Sequence, residues 1–217
     1  MFLLLNRQRL NRSKLLSSRI NYHRRSEFTE KISHRLLENS NCIIEISIDE
    51  TFTVDSTDNR YYDIIHNPCQ YKQSDIAKTL AIHVDLFSKE YSIALIGSFY
   101  TYDFDCAVLE NDTLTVLQND TITIINIFNG SITKHIKFDC FGCNYGIYKV
   151  KKGYIIYGEI EITMLDFDFI KKWSFSGKDI FVSQSNKKPF ELRDNFICLC
   201  DFEDNYYEID YNGNLIN

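Results

Sequence analysis

The sequence predicts an all-β protein built from about four β-meander repeats of roughly 40 residues, preceded by a short N-terminal helical arm. Beyond Asn41, apolar and polar residues alternate, as in the stretch from Ile44 to Ile48, which is the period of a half-buried strand. A turn that starts with Asp or Asn recurs at positions 85, 126, 166 and 210, in steps of 41, 40 and 44 residues. Asn-Gly pairs at 129–130 and 212–213 supply the positive φ that tight hairpins need.

Each period contains short apolar runs separated by turn residues. In the repeat around residue 120 the runs are divided at Asn111, Asn119 and Asn129, which gives four strands in one unit. A period near 40 with four strands is typical of propeller blades and related β-meander arrays. We therefore predict that residues 41–217 form one repeat domain that is almost wholly β. Hairpin turns are expected near Asn111, Asn129, Lys152, Asp194 and Asn212.

One repeat carries a more specific pattern. Leu165-Asp166 is followed by Trp173-Ser174-Phe175, and this resembles the β-propeller repeat of quinoprotein-like or WD40-like proteins. The resemblance implies that the Trp173 indole is buried between neighbouring blades. The segment from Trp173 to Phe181 also resembles an uncharacterised bacterial family that is sometimes linked to toxin-immunity loci.

The first 40 residues differ in charge from the rest. They hold nine Lys and Arg against three Asp and Glu, whereas residues 41–217 hold 15 against 27. Phe28, Ile32 and Leu36 recur at every fourth position after a potential N-cap at Ser26, so we predict an amphipathic helix from Ser26 to Glu38. The basic arm leaves nucleic-acid binding open, while the acidic body makes it unlikely there. The sequence contains no run of 18 apolar residues, so we expect no membrane span.

The cysteines and histidines form no recognisable catalytic or metal pattern. Seven cysteines are spread without a disulfide framework, which favours reduced thiols and a cytoplasmic location. Cys140 and Cys143 have half of a zinc motif, without a second pair at matching spacing, so no metal is expected. The five histidines do not neighbour a Ser or Cys in a nucleophile motif. We expect no catalytic residue, no cofactor and no enzymatic activity.

Charge on the predicted loops distinguishes the two ends of the repeats. Turns between strands one and two and between three and four emerge at one end, which is mildly basic. The remaining turns and the links between repeats emerge at the other end, which is acidic and also carries aromatic residues. Aromatic side chains in a field of one sign are typical of protein-binding surfaces. The residues expected to bind a partner are Tyr100, Tyr102, Asp103, Asp105, Asp120, Asp201, Glu203, Asp204 and Tyr206, with Asp139, Glu159, Asp179 and Phe202 at the same end.

These patterns support three functional hypotheses. The first is a non-enzymatic protein-binding module that engages a protein with a basic surface, in the manner of an immunity protein. The second is a propeller-type enzyme or cofactor binder with a central pocket. The third is a structural repeat protein, whose acidic loops serve only solubility.

Overall fold

The computed structural model describes residues 34–99, 105–183 and 187–216, and these contain strands and no helix. The strands form four sheets, as the repeat period predicts. Sheet 1 contains β1 (His34–Glu38), β2 (Ile43–Asp49), β3 (Ile64–His66), β4 (Lys78–Asp85) and β5 (Glu90–Gly97). Sheet 2 contains β6 (Ala107–Glu110), β7 (Thr113–Gln118), β8 (Thr121–Asn126) and β9 (Ile132–Lys137). Sheet 3 contains β10 (Asn144–Val150), β11 (Gly153–Gly158), β12 (Ile162–Leu165) and β13 (Lys171–Phe175), and sheet 4 contains β14 (Phe190–Leu192), β15 (Phe196–Cys200) and β16 (Tyr206–Asp210).

Sheets 2 and 3 are simple four-stranded antiparallel meanders. Sheet 4 has three strands, and Leu215 adds an antiparallel bridge to Ile209 at the place of a fourth. Sheet 1 has the order β1-β2-β4-β5-β3, because the long connection between β2 and β4 adds β3 at the edge of the sheet, parallel to β5. The prediction of about four propeller-blade-like units is confirmed.

The predicted helix is wrong where it can be compared with the structure. Its last five residues, His34–Glu38, are strand β1, which pairs antiparallel with β2 from His34↔Ser47 to Glu38↔Ile43. Exposure alternates along this strand, and Leu37 packs against the core between sheets 1 and 2. Pairing with β2 outweighs the helical spacing of the apolar residues, because it provides partners for the backbone N–H and C=O groups and also packs Leu37 against the core. The remainder of the predicted helix and of the basic arm lies outside the described residues.

The core lies between successive sheets. One cluster joins sheets 1 and 2 through residues such as Ile44 and Leu114, a second joins sheets 2 and 3, and a third joins sheets 3 and 4. Strand β11 is buried at all six positions, because sheet 3 is covered on both faces. Strand β2 keeps an exposed Glu45 on the face that no other sheet covers. The described residues form no core cluster between sheets 4 and 1.

The predicted hairpin turns lie where the sequence places them. Asn111 has a φ of 48° between β6 and β7, and Gly130 has a φ of 71° between β8 and β9. Trp173 lies on β13 at the boundary of sheets 3 and 4, as expected, with its indole N–H donating to the Tyr211 carbonyl at 3.3 Å. Trp173 is half-buried and not fully buried; it packs against the core between sheets 3 and 4, and the turn at Gly213 lies against its ring.

Candidate protein-binding surface

The strands of sheets 2, 3 and 4 run in alternating directions, so their loops divide into two groups. We call the acidic end the group formed by the turns β7–β8, β11–β12 and β15–β16 together with the links between sheets. We call the turn end the group formed by the turns β6–β7, β8–β9, β10–β11, β12–β13, β14–β15 and the turn after β16. Because strands within a meander alternate, successive turns fall on opposite ends.

Backbone hydrogen bonds join the loops of the acidic end into one continuous line. Each turn at this end bonds to a neighbouring link between sheets, so residues far apart in sequence become neighbours. The N–H to O pairs are Phe138 to Asp120 (3.0 Å), Glu159 to Cys143 (2.7 Å), Phe181 to Glu159 (2.6 Å) and Phe202 to Ile180 (2.8 Å). These bonds bring the acidic loops of sheets 2, 3 and 4 together along one edge of the molecule.

Asp105 and Asp120 lie at this end, and each is engaged by a basic side chain. Asp105 forms an ion pair with Arg35 on β1 at 2.5 Å and accepts a hydrogen bond from the Tyr148 hydroxyl on β10 at 3.0 Å. It therefore links the first strands of sheets 1 and 3 to the start of sheet 2. Asp120 pairs with Lys137 at 2.9 Å. Tyr100, Tyr102 and Asp103, also predicted for this surface, lie outside the described residues.

Asp201 does not present its charge to solvent. The residue is only 1% exposed. Its carboxylate accepts hydrogen bonds from the backbone amides of Glu203 (3.1 Å) and Asn205 (2.9 Å) and from the Tyr207 hydroxyl (2.7 Å). Burial raises the pKa of this carboxyl, but the Tyr207 and Asn205 hydrogen bonds outweigh burial and the net pKa is lowered. The expectation that Asp201 is a surface charge is therefore corrected: it holds the β15–β16 turn together.

Glu203, Asp204 and Tyr206 follow Asp201 and are exposed. Asp204 pairs with Lys187 at 3.1 Å, and the same ammonium lies 5.0 Å from the centre of the Tyr206 ring. This local neutralisation reduces the negative field around Tyr206. Exposed acidic and aromatic groups remain at the loops beside it, where Phe202 and Glu203 lie next to the 178–182 link.

The sequence did not single out Phe141, which is the most exposed phenylalanine among the described residues at 71%. It lies in the link between β9 and β10, next to the exposed Asp139, and its amide donates to the Glu161 carboxylate at 3.0 Å. In the sequence this residue lies within Cys140-Phe141-Gly142-Cys143, the segment that contains half of a zinc motif. The two thiols pack against different core clusters, Cys140 between sheets 2 and 3 and Cys143 between sheets 3 and 4.

We define the acidic patch as the exposed and half-buried part of this end on sheets 3 and 4. Its members carry either a carboxylate or an aromatic ring at the surface. They are Asp139, Phe141, Glu159, Asp179, Phe202 and Glu203. Four carboxylates around two aromatic rings give a surface that can anchor an apolar side chain and attract positive charge.

The turn end has a different surface. The β4–β5 turn of sheet 1 is counted with this end, because Lys89 joins it to the turn β8–β9. Phe87, Phe128 and Phe167 are exposed on the turns β4–β5, β8–β9 and β12–β13. Lysine side chains join successive turns: Lys89 donates to the Phe128 carbonyl at 2.8 Å, and Lys134 to the Asp168 carbonyl at 3.2 Å. The sequence analysis did not single out the phenylalanines of this end.

Comparison with known proteins gives no family for the chain. No protein-family model and no curated protein matches it. Among solved structures it is similar to Hsv2 from Kluyvelomyces marxianus (10% identity, TM-score 0.38, covering 71% of this chain and 49% of that one), to BamB from Moraxella catarrhalis (9%, 0.38, 85% and 60%) and to the AfRom2 CNH domain (13%, 0.39, 88% and 68%). The chain thus spans about half to two thirds of the length of these proteins. At such scores the likeness carries no information about function, and the fold rests on the strands described above.

No helix in the described part of the chain is long and apolar enough to cross a membrane.

Proposed function

We propose that the protein is a non-enzymatic binding module that docks a protein with a basic surface on its acidic patch, and that it acts in the cytoplasm. The observation that carries the proposal is the exposure of Phe141 and Phe202 among four carboxylates on one end. Exposed aromatic rings cost hydration free energy unless a partner covers them, and carboxylates around them favour a positively charged partner.

We assign this proposed function to the acidic patch and not to every residue that the sequence predicted. Asp105, Asp120 and Asp204 are each paired with a cation, and Asp201 is buried, so the proposal rests on the patch residues of sheets 3 and 4. Neither the structure nor the comparisons support the toxin-immunity link, and no described feature supports an enzyme with a central pocket.

A peptide library displayed on phage tests the proposal. We expect selection on the wild-type protein to enrich sequences that combine Lys or Arg with an aromatic or aliphatic residue. The variant Asp139→Lys/Glu203→Lys should bind a selected peptide about tenfold more weakly at low salt, mainly through slower association, with a smaller loss at high salt.

The matched control is Asp168→Lys/Asp194→Lys, which changes net charge equally but alters two exposed acids of the turn end. It should retain binding. Equal losses in both variants would mean that only net charge matters, and selection without basic residues would contradict the proposal. Phe141→Ser, which keeps all charges, should weaken binding at every salt concentration, because it removes an anchor and not a charge.

A further inference from the structure

A thiol and an imidazole that are 66 residues apart in sequence meet on the outer strand of sheet 2. Cys69 lies in the long connection after β3, and its Sγ is 3.5 Å from Nε2 of His135 on β9. The other ring nitrogen of His135, Nδ1, is 2.9 Å from the hydroxyl oxygen of Thr123 on the adjacent strand β8. Thr123 and His135 are direct cross-strand partners, and Thr123 is fully buried.

Cys69 differs from every other cysteine of the chain. The structure describes all seven, and Cys69 is the one whose residue is exposed. Cys42 and Cys200 are buried, and burial raises the pKa of both thiols. Burial also raises the pKa of Cys106, to about 12, and that of Cys140. A reactive thiol must be accessible and able to lose its proton. Each of the other thiols is less exposed than Cys69, and Cys69 is the one for which a contact with an imidazole is described.

The arrangement of the three side chains is that of a nucleophile, a base and an orienting group. When Nδ1 of His135 carries the proton, it donates to the Thr123 oxygen, and the lone pair of Nε2 faces the sulfur of Cys69. Thr123 is held rigidly inside the sheet, so this hydrogen bond fixes the ring against rotation. Burial lowers the pKa of His135, which keeps the imidazole neutral and able to accept a proton near neutral pH.

The surroundings add a charge and a hydroxyl. Burial raises the pKa of Tyr71, with a smaller contribution from Cys69 beside it. Lys137, two residues after His135 on β9, pairs with Asp120 at 2.9 Å, and the Cys69 sulfur acts on its ammonium electrostatically. A cation and a phenol therefore lie beside the Cys69–His135 pair, and the cation favours an anionic reaction partner.

We propose that Cys69 is a site of reversible thiol–disulfide exchange with small disulfides, in which His135 is the general base and Thr123 its positioning residue. The thiol proton passes to Nε2 as the sulfur attacks one sulfur of the disulfide. A new S–S bond forms, the original S–S bond breaks, and the departing thiolate takes the proton from His135. Cys69 is oxidised, one half of the small disulfide is reduced to a thiol, and a second thiol reverses the reaction. This modification is independent of the acidic patch.

The test uses the native, full-length protein and the small disulfide 5,5′-dithiobis(2-nitrobenzoate), whose released thiolate is measured by absorbance. We expect one fast-reacting thiol, which Cys69→Ser removes and Cys198→Ser leaves intact. His135→Gln should slow the fast phase by about tenfold or more near pH 7, because the general base is lost. Thr123→Val keeps the thiol and the imidazole and should slow it less.

The pH profile of the wild-type rate separates this role from simple exposure. With His135 as the base, the reaction rate should stop rising with pH already below about pH 8.5, the approximate pKa of a free cysteine. In His135→Gln the rate should again rise with pH as it does for a free cysteine. This measurement needs no substitution in the wild-type arm, so it decides the matter even if a variant at Thr123 or His135 fails to fold. A fast phase unchanged in His135→Gln, or a wild-type profile equal to that of a short cysteine peptide, would overturn the proposal.

Discussion

Two turns of the same local geometry flank strand β16, one at the acidic end and one at the turn end. At the acidic end, Asp201 accepts the amides of the residues two and four positions later, and residue 204 has a φ of 65°. At the turn end, Asp210 accepts the amides of Asn212 and Asn214, both at 2.8 Å, and residue 213 has a φ of 85°.

The two turns differ in what surrounds them. The link after β13 covers Asp201, with the Lys178 amide donating to Tyr207, whose hydroxyl in turn donates to the Asp201 carboxylate. Asp210 receives only bonds from its own turn, and its neighbours Asn212 and Asn214 are exposed. The spacing between an Asp and the amides two and four residues later therefore specifies the turn, while burial decides how much the carboxylate contributes to stability.

The largest expected difference is between substitutions of the two aspartates. Asp201→Ala should lower the free energy of unfolding by about 3 kcal/mol, because it leaves buried donors, including the Tyr207 hydroxyl, without an acceptor. Asp210→Ala should cost clearly less, since water can replace the carboxylate. Urea unfolding followed by the fluorescence of Trp173, the single tryptophan, measures both.

Glu203→Ala, an exposed neighbour in the same turn as Asp201, is the control and should change stability by no more than about 0.5 kcal/mol. Similar losses for Asp201→Ala and Asp210→Ala would show that only the local turn matters.

The positive-φ positions of the two turns give a smaller difference. Gly213→Ala should cost about 2 kcal/mol, because a Cβ there would lie 2.7 Å from the Trp173 ring and the backbone is left-handed. Asp204→Gly should be nearly neutral, since glycine suits this φ and an exposed ion pair contributes little.

A double-mutant cycle with Trp173→Leu separates steric overlap from backbone strain; its urea unfolding is followed by circular dichroism, because this substitution removes the single tryptophan. If the overlap with the indole matters, Gly213→Ala will cost less in the Trp173→Leu background. An unchanged cost would assign the whole effect to the backbone.

The smallest expected effect is on acid stability. Hydrogen bonds from the Asn214 amide and side chain lower the pKa of Asp210 to about 2. A carboxyl whose pKa is lowered on folding stabilises the folded state above its unfolded pKa of about 3.9, and this contribution is lost as pH falls towards 2. Asp210→Asn should therefore flatten part of the decline in the urea midpoint between about pH 4 and 2. An identical decline in both proteins would contradict this role for Asp210.

The same distinction explains which predictions from sequence succeeded. The Asp and Asn residues at 85, 126, 166 and 210 act on amides two to four residues away, so their spacing is visible in the chain. Strand β1 could not be predicted, because its conformation depends on pairing with β2. The contact of Cys69 with His135 was equally hidden, since 66 residues separate them and tertiary contacts, such as the one between His66 at the end of β3 and the Gly130 carbonyl, bring the connection near β9.

By itself, therefore, the sequence determined the all-β class, the number of repeats and most hairpin turns, because hydrophobic period and turn chemistry are local properties. The tertiary structure decided which acids are buried, which are paired and which aromatic rings remain exposed. Burial and ion pairing depend on the segments that cover a residue, such as the 178–182 link over Asp201, and those segments are brought there by packing between sheets. The sequence therefore does not distinguish a carboxylate that supports a turn from one that faces a partner.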